Sequence, residues 1–469
     1  MGIAIGYVVG LLPGLGGLPS LALMLPFTYT MEPIAAIALL LGAQAVFSTT
    51  GDVTSVLFGV PGEAASAAVI LDGHAMAKKG EAGRALGAAL FSSLVGAVFG
   101  ALVLAASIPI VQPLVLSLGT PELFMLAVLG ITFIASVSGR SVIKGIVMGG
   151  LGLLLSTVGM DPQQGVLRYT FGQPYLHSGL SLAVIAVGLF AIPELLELGV
   201  RRSSIAKPGF GKTSGALEGI KDTLRHWGLV LRCSAIGALI GILPGLGSGV
   251  GQWLAYGHAV QSSPNKERFG TGAVEGILGP GAANNSTTGG SLLLTISFGV
   301  PGGSHMALLL GAFLILGLVP GRDMLSTHLD LTFSMVWVIV IANIITVGLS
   351  LLFIDQLARI TFVKSTLLIP FILLLIYLGG FATHNMIADL VAVVVFGILG
   401  TLMVWLDWPR PPLILGLVLG DLAERYFHIC IARYGWTWLL RPGVIIIIIL
   451  IIVALLYPLW HRRWGPAST

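Results

Sequence analysis

Long apolar runs, interrupted at a few places by proline, glycine and small polar residues, set the frame of this chain. Leu180–Leu198, Leu331–Phe353, Met386–Leu406 and Val444–Leu456 are near the roughly 18 to 20 residues that a helix needs to cross a bilayer, or fall a few short. Taken along the whole chain, the pattern predicts about ten to twelve such segments, and so an all-α, polytopic membrane protein. The interruptions recur. "LPGLG" stands at 12–16 and at 243–247, and "FGVPG" follows it both times, at 58–62 and at 298–302.

Composition agrees with the pattern. Of 469 residues, 56% are apolar and 9% charged, against about 25% charged in a soluble domain, which excludes a water-soluble globule and makes the lipid bilayer the solvent. The formal charge of +4 is small for this length, and the basic residues sit in a few loops between spans. No nucleic-acid partner is therefore expected. Cys233 and Cys430 lie in or beside apolar segments far apart in sequence and read as packing residues. The amino terminus lacks a basic n-region, so no cleavable signal is read there.

Charge in short loops reports the side of the membrane. Residues 201–225 hold six Lys or Arg and are placed in the cytoplasm. They divide the chain into a first repeat half at 1–200, a basic linker at 201–226, a second repeat half at 227–425, and a C-terminal interfacial stretch with a final transmembrane helix at 426–469. Residues 75–84 and 139–144 then fall inside and the uncharged 112–121 outside. After "LPGLG", the first half has no basic residue at 28–33, whereas the second has two at 261–268. After "FGVPG" the order reverses, with three basic residues at 72–84 and one Arg against two Asp at 320–330. Matching motifs flanked by opposite charge predict an inverted-topology internal repeat, an architecture common among secondary transporters. Arg425, Arg433 and Arg441 crowd one segment that this count puts outside, and an amphipathic stretch along the interface is the expectation there.

Proline removes a backbone donor and glycine permits helix-breaking conformations. Four broken or re-entrant helices are thus expected at membrane depth, where irregular backbone persists only when covered by protein or lining a cavity. Broken helices present N-terminal amides to anions and C-terminal carbonyls to cations. The first break adds Ser48, Thr49, Thr50, Thr54, Ser55, Pro61 and Gly62; the second adds Asn284, Asn285, Ser286, Thr287, Thr288, Pro301, Gly302 and Ser304. Their uncharged hydroxyls and amides suit a carboxylate or a small cation, and these are the candidate substrate-binding residues. Close helix packing is the competing reading for the Ser, Thr and Gly positions, while two amides at 284 and 285 are costly to bury without partners. Asp52 is an ionisable group near membrane depth. With Gly14, Gly16, Gly245 and Gly247 it is a candidate for ion coupling; pairing with a basic group is the alternative. Glu63 reads equally as a cap on the following helix. His74, His258, His305 and His384 show no metal-ligand spacing and are read as ordinary.

Catalytic and nucleotide motifs fail. "GFGKTS" at 209–214 lacks the earlier glycine of a phosphate loop, Ala206 standing in its place, and it lies in a basic linker. Neither a His-Glu-x-x-His nor a Gly-x-Ser-x-Gly sequence occurs. The chain is expected not to be an enzyme and to use no cofactor, energy coming from an ion gradient or another subunit. A passive channel or a helix-packing scaffold is the alternative class.

At "GLLPGLGG", "FGVPGEAASAAVILDGHAMAKKGEAGRALG", "FGTGAVEGILGPGAANNSTTGG" and "FGVPGGSHMALLLGAFLILGLVPG" the chain resembles the large membrane (permease) subunit of the tripartite tricarboxylate transporters. The likeness extends over nearly the whole chain, with the motifs in order. It departs at Gly281, where members usually carry a carboxylate, and at Asp52, where a small residue is usual. The resemblance implies a multi-pass protein of the bacterial cytoplasmic (inner) membrane, importing carboxylates by coupling to Na⁺ or H⁺. It also implies two partners, a small four-helix membrane subunit and a periplasmic solute-binding protein, and an additional segment ahead of Met1.

Overall fold

The structure, a computed structural model, describes residues 1–11, 16–63, 66–137, 141–161, 164–201, 215–354, 356 and 365–464. Residues 202–214 of the basic linker, with "GFGKTS", and positions 12–15 of the first "LPGLG" lie outside the described residues.

Helices dominate it. Among the described residues, five are long and apolar enough to cross a membrane, namely Pro33–Phe58, Ala82–Ser117, Leu182–Val200, Leu329–Leu352 and Ile387–Trp405. Shorter apolar helices of 10–17 residues include Val142–Ser156, Trp227–Ile242, Ser304–Ile315 and Pro442–Val453. The one sheet among the described residues is a two-stranded hairpin pairing Gly159 with Arg168. Arg168 ties that hairpin to Glu424 at 2.7 Å.

Helix Leu329–Leu352 illustrates how apolar sequence is sorted in lipid. Trp337, Ile341, Ile344, Ile345 and Leu352 are exposed, whereas Thr332, Asn343, Thr346 and Ser350 are buried against the protein. Because hydrocarbon solvates the outer face as readily as a core does, the small polar side chains turn inward, where other helices supply partners. The Pro33–Phe58 and Glu275–Phe298 helices go further and are buried along nearly their whole length.

The sequence repeat reappears as repeated geometry. Pro33–Phe58 ends at Gly59 (φ 66°, ψ 21°) and Glu275–Phe298 at Gly299 (φ 66°, ψ 19°). Each glycine N–H donates to the carbonyl four residues back, that of Ser55 or Thr295, a left-handed helix end that a side chain would strain. Ahead of each "LPGLG", a helix packs backbone to backbone on its long neighbour. A Cβ at Gly6 would lie 2.9 Å from Ala43 Cα, and one at Gly237 would lie 2.8 Å from Ala283 Cα. Small residues permit this approach, as between membrane helices generally.

Buried polar contacts join the halves. Asn284 Nδ2 donates to the Ser48 carbonyl (2.9 Å), and Asn285 Nδ2 to Thr49 Oγ1 (2.7 Å), so the long helices cross at their middles. Buried Asp72, on the short helix Ala67–Lys78, accepts from the N–H groups of Gly272 and Ala273, both at 2.8 Å, and from Tyr256 Oη at 3.0 Å. That short helix folds back on the end of its predecessor, with His74 Nδ1 3.2 Å from the Val56 carbonyl.

Two sequence expectations need refinement. Residues 112–117, placed in an outside loop, continue the Ala82–Ser117 helix through Pro109 and Pro113; the flanking sequence stays apolar, and Gln112 Nε2 finds the Leu325 carbonyl at 2.6 Å. Arg425 and Arg433 stand on the Pro411–Tyr434 helix, and Arg441 pairs with buried Glu122 at 2.9 Å.

Candidate functional site

Described residues at or directly beside each of the four breaks come to one space. Gly247 N donates to the Gly302 carbonyl at 3.2 Å, joining the second "LPGLG" to the second "FGVPG". Around this junction lies a cavity of about 400 Å³, within the range of about 300–1,000 Å³ usual for small-molecule sites. The first half contributes Gly16–Pro19, Gln44 and Glu63; the second contributes Gly245–Gly249, Thr287, Thr288, Ser291 and Gly303–Met306. Glu194 and Arg410 complete the wall.

Three helices begin at this cavity: Gly17–Met24, Gly247–Ser262 and Ser304–Ile315. None carries a side-chain cap. The first N–H groups of a helix have no partner within it, and the aligned peptides give that end about half a positive charge. Three such ends facing one space form an anion-attracting wall. Arg410 adds a full charge. Its Nη1 donates to the Leu189 carbonyl at 3.0 Å, and its guanidinium lies 5.1 Å from the Phe190 ring centre. Leu189 and Phe190 belong to a π-helical turn, Val187–Ala191, a widened turn of the kind often found at functional sites.

Of the substrate-binding residues expected from sequence, Thr287, Thr288 and Ser304 line the cavity, as do Gly16, Gly245 and Gly247 from the ion-coupling set. The others sit elsewhere. Ser48, Thr49, Thr50, Thr54 and Ser55 are buried, their hydroxyls donating to carbonyls three or four residues back on their own helix. Asn285 Nδ2 reaches Thr49 Oγ1, Ser93 Oγ and Asn343 Oδ1, and Ser286 Oγ donates to the Ser234 carbonyl at 2.6 Å. Gly62 packs against Thr54 and Gly51, and Gly302 against Ser291. Pro61 is exposed and Pro301 buried. Gly14 lies outside the described residues. Asp52 is fully buried, and neither carboxylate oxygen has a hydrogen-bond partner.

Sequence reasoning missed Arg410, Glu194 and the pairing of His305 with Glu63, whose Nε2 and Oε1 are 3.4 Å apart. The available signal was the lone arginine in "DWPRPPLILG", set directly before a proline-started helix.

The fold and this cavity define a polytopic, all-helical membrane protein with a polar chamber where paired helix breaks converge. The chain belongs to the tripartite tricarboxylate transporter TctA family, which its residues 1–415 match; that family is the large subunit of these transporters. It is 34% identical over 428 residues, 91% of this chain and 85% of the relative, to an "Uncharacterized 52.8 kDa protein in TAR-I ttuC' 3'region" of Agrobacterium vitis. A second Agrobacterium vitis relative, an "Uncharacterized protein in TAR-II ttuC' 3'region", is 33% identical over 192 residues, 41% of this chain and 79% of that one. No solved structure matches the chain.

Proposed function

We propose that this chain is the membrane permease of a binding-protein-dependent secondary transporter that imports tricarboxylates or related organic carboxylates across the bacterial inner membrane. It works with a small four-helix membrane subunit and a periplasmic solute-binding protein, driven by Na⁺ or H⁺. The observation that carries this reading is the convergence of three helix N-termini without side-chain caps and of Arg410 on one cavity. A substrate carboxylate takes the guanidinium as a planar, two-pronged donor. A second meets the N–H groups at Ser304–Met306, with Thr287, Thr288 and Ser291 offering hydroxyls.

The two halves are read as inverted. In support, the middles of the two long helices meet, and the end of Pro33–Phe58 lies, through His74 and Asp72, beside residues 272–276 that open Glu275–Phe298. Helices so placed run in opposite directions. Ion binding favours the loaded state, and movement of one bundle against the other changes access.

Uptake of labelled citrate into proteoliposomes, with the four-helix subunit present and the binding protein supplied outside, tests the proposal. Accumulation against a citrate gradient supports it. Downhill equilibration alone points to a channel, and no flux points to a scaffold; either result overturns it.

A further inference from the structure

Glu63 and His305 come from the two copies of one motif: Glu63 directly follows the first "FGVPG", and His305 lies just beyond the second. Their side chains meet at the cavity wall, His305 Nε2 lying 3.4 Å from Glu63 Oε1. Glu63 is buried, and neither of its carboxylate oxygens, nor His305 Nε2, makes a hydrogen bond. Behind them, the Glu63 backbone N and Cβ would each be 3.4 Å from a Cβ at Gly51, and the neighbouring Asp52 carboxylate is within electrostatic reach of Glu63. The other charged or titratable groups facing this region among the described residues are His74, whose ring abuts Gly59, and Glu194 and Arg410 across the cavity.

Glu63 stands, without a hydrogen bond to its carboxylate, on the wall where an anionic substrate would dock. A substrate carboxylate arriving there meets a second carboxylate, and a buried pair of like groups persists only when one is neutralised. A hard cation such as Na⁺ prefers an all-oxygen shell, which a carboxylate facing an imidazole nitrogen does not supply. An imidazole nitrogen facing a carboxylate is instead suited to sharing a proton.

We infer that Glu63 and His305 form the proton-binding site of the transport cycle, taking up a proton as the carboxylate substrate binds. The inference rests on the cavity being the carboxylate site. The proton lies between Nε2 and Oε1 and offsets the charge that the substrate brings. Substrate and proton therefore bind with positive linkage, each raising the affinity for the other. Because the two motif copies each hold one partner, relative movement of the halves separates the pair and releases the proton.

The test uses the full chain in lipid nanodiscs with citrate as probe, above the pH of the last citrate ionisation. Calorimetry in buffers of different ionisation enthalpy counts protons taken up. The expected result is about one proton per citrate, with affinity falling about tenfold per pH unit, and a pH-independent affinity in Glu63→Gln and His305→Gln. Citrate binding without proton uptake, uptake that persists in both variants, or affinity set by Na⁺ rather than pH overturns the proton site while leaving the carboxylate reading intact. Difference infrared spectroscopy without any ligand supplies the independent arm, in which the protonated carboxyl band that titrates in the wild type is lost in Glu63→Gln. If that band behaves so and citrate does not bind, Glu63 exchanges a proton on its own, the carboxylate reading falls, and the coupling inferred from it falls with it. If no titrating band is assigned to Glu63, the inference falls.

Discussion

Asn285 Nδ2 lies 2.7 Å from Thr49 Oγ1 and 3.1 Å from Asn343 Oδ1, and it is 2.6 Å from Ser93 Oγ. One amide thus gathers three other helices at the crossing of the two long ones. The site is buried, and apolar solvent offers no substitute partner. Asn285→Leu should therefore act first on stability: a loss of about 1–2 kcal/mol, near the upper end for hydrogen bonds between membrane helices, read as a lowered unfolding temperature in nanodiscs. Thr288→Val, which alters the cavity wall, should leave the unfolding temperature nearly unchanged and reduce citrate uptake. An Asn285→Leu protein of wild-type stability that fails to transport would contradict the packing role.

How much of this was legible in sequence depends on whether the signal is local. The "FGVPG" copies were readable because Gly59 and Gly299 answer the same backbone demand at the same place. The apolar runs at 331–353 and 386–406 agree with helices Leu329–Leu352 and Ile387–Trp405 within a few residues, since length and hydropathy alone govern them. The chamber was only partly readable. Its breaks were marked by proline and glycine, but Arg410, just ahead of the Pro411–Tyr434 helix, and Glu194, on Ile192–Arg201, arrive from far along the chain. Likewise, a polar stretch such as 284–288 does not say which residues face a cavity and which a neighbouring helix. The helix period divides them, leaving Asn285 bonded and Thr287 and Thr288 on the wall.

Close approach at Gly237 gives a second prediction. A Cβ there would meet Ala283 Cα at 2.8 Å, whereas one at Gly257, also helical, meets nothing within 4 Å. Gly237→Ala should destabilise by about 1–3 kcal/mol through overpacking. Gly257→Ala should be neutral or stabilise by up to about 1 kcal/mol through helix propensity. Thermal unfolding of the two variants side by side checks the pair, and Gly6→Ala should follow Gly237→Ala because its neighbour Ala43 is equally close.

Arg410 carries the fixed positive charge of the chamber wall. Arg410→Gln should lower citrate uptake by about tenfold or more, the value of one charge-assisted hydrogen bond of about 1.5–3 kcal/mol. Arg410→Lys should recover only part of it, because an ammonium lacks the planar fork and fits poorly between the Leu189 carbonyl and the Phe190 ring. Initial uptake rates over a range of citrate concentrations provide the measurement. Equal activity of the lysine and arginine proteins would remove the two-pronged geometry from the account.

Inversion of the halves makes the last prediction, and chemistry at two loops decides it. Lys78 ends the short helix after the first "FGVPG", and Ser326 lies in the loop after the helix that follows the second; both are exposed. If the repeats are inverted, the two positions open to opposite sides of the membrane. The native thiols, Cys233 and Cys430, are both buried, so background labelling should be low. In intact bacterial cells, a membrane-impermeant maleimide should modify Ser326→Cys and spare Lys78→Cys. In inside-out vesicles the order should reverse, because the inverted reading puts the basic residues at 75–84 on the cytoplasmic side. Labelling of both cysteines from the same side would mean that the repeated motifs point the same way, and the paired breaks would then have to form the chamber without the inverted symmetry.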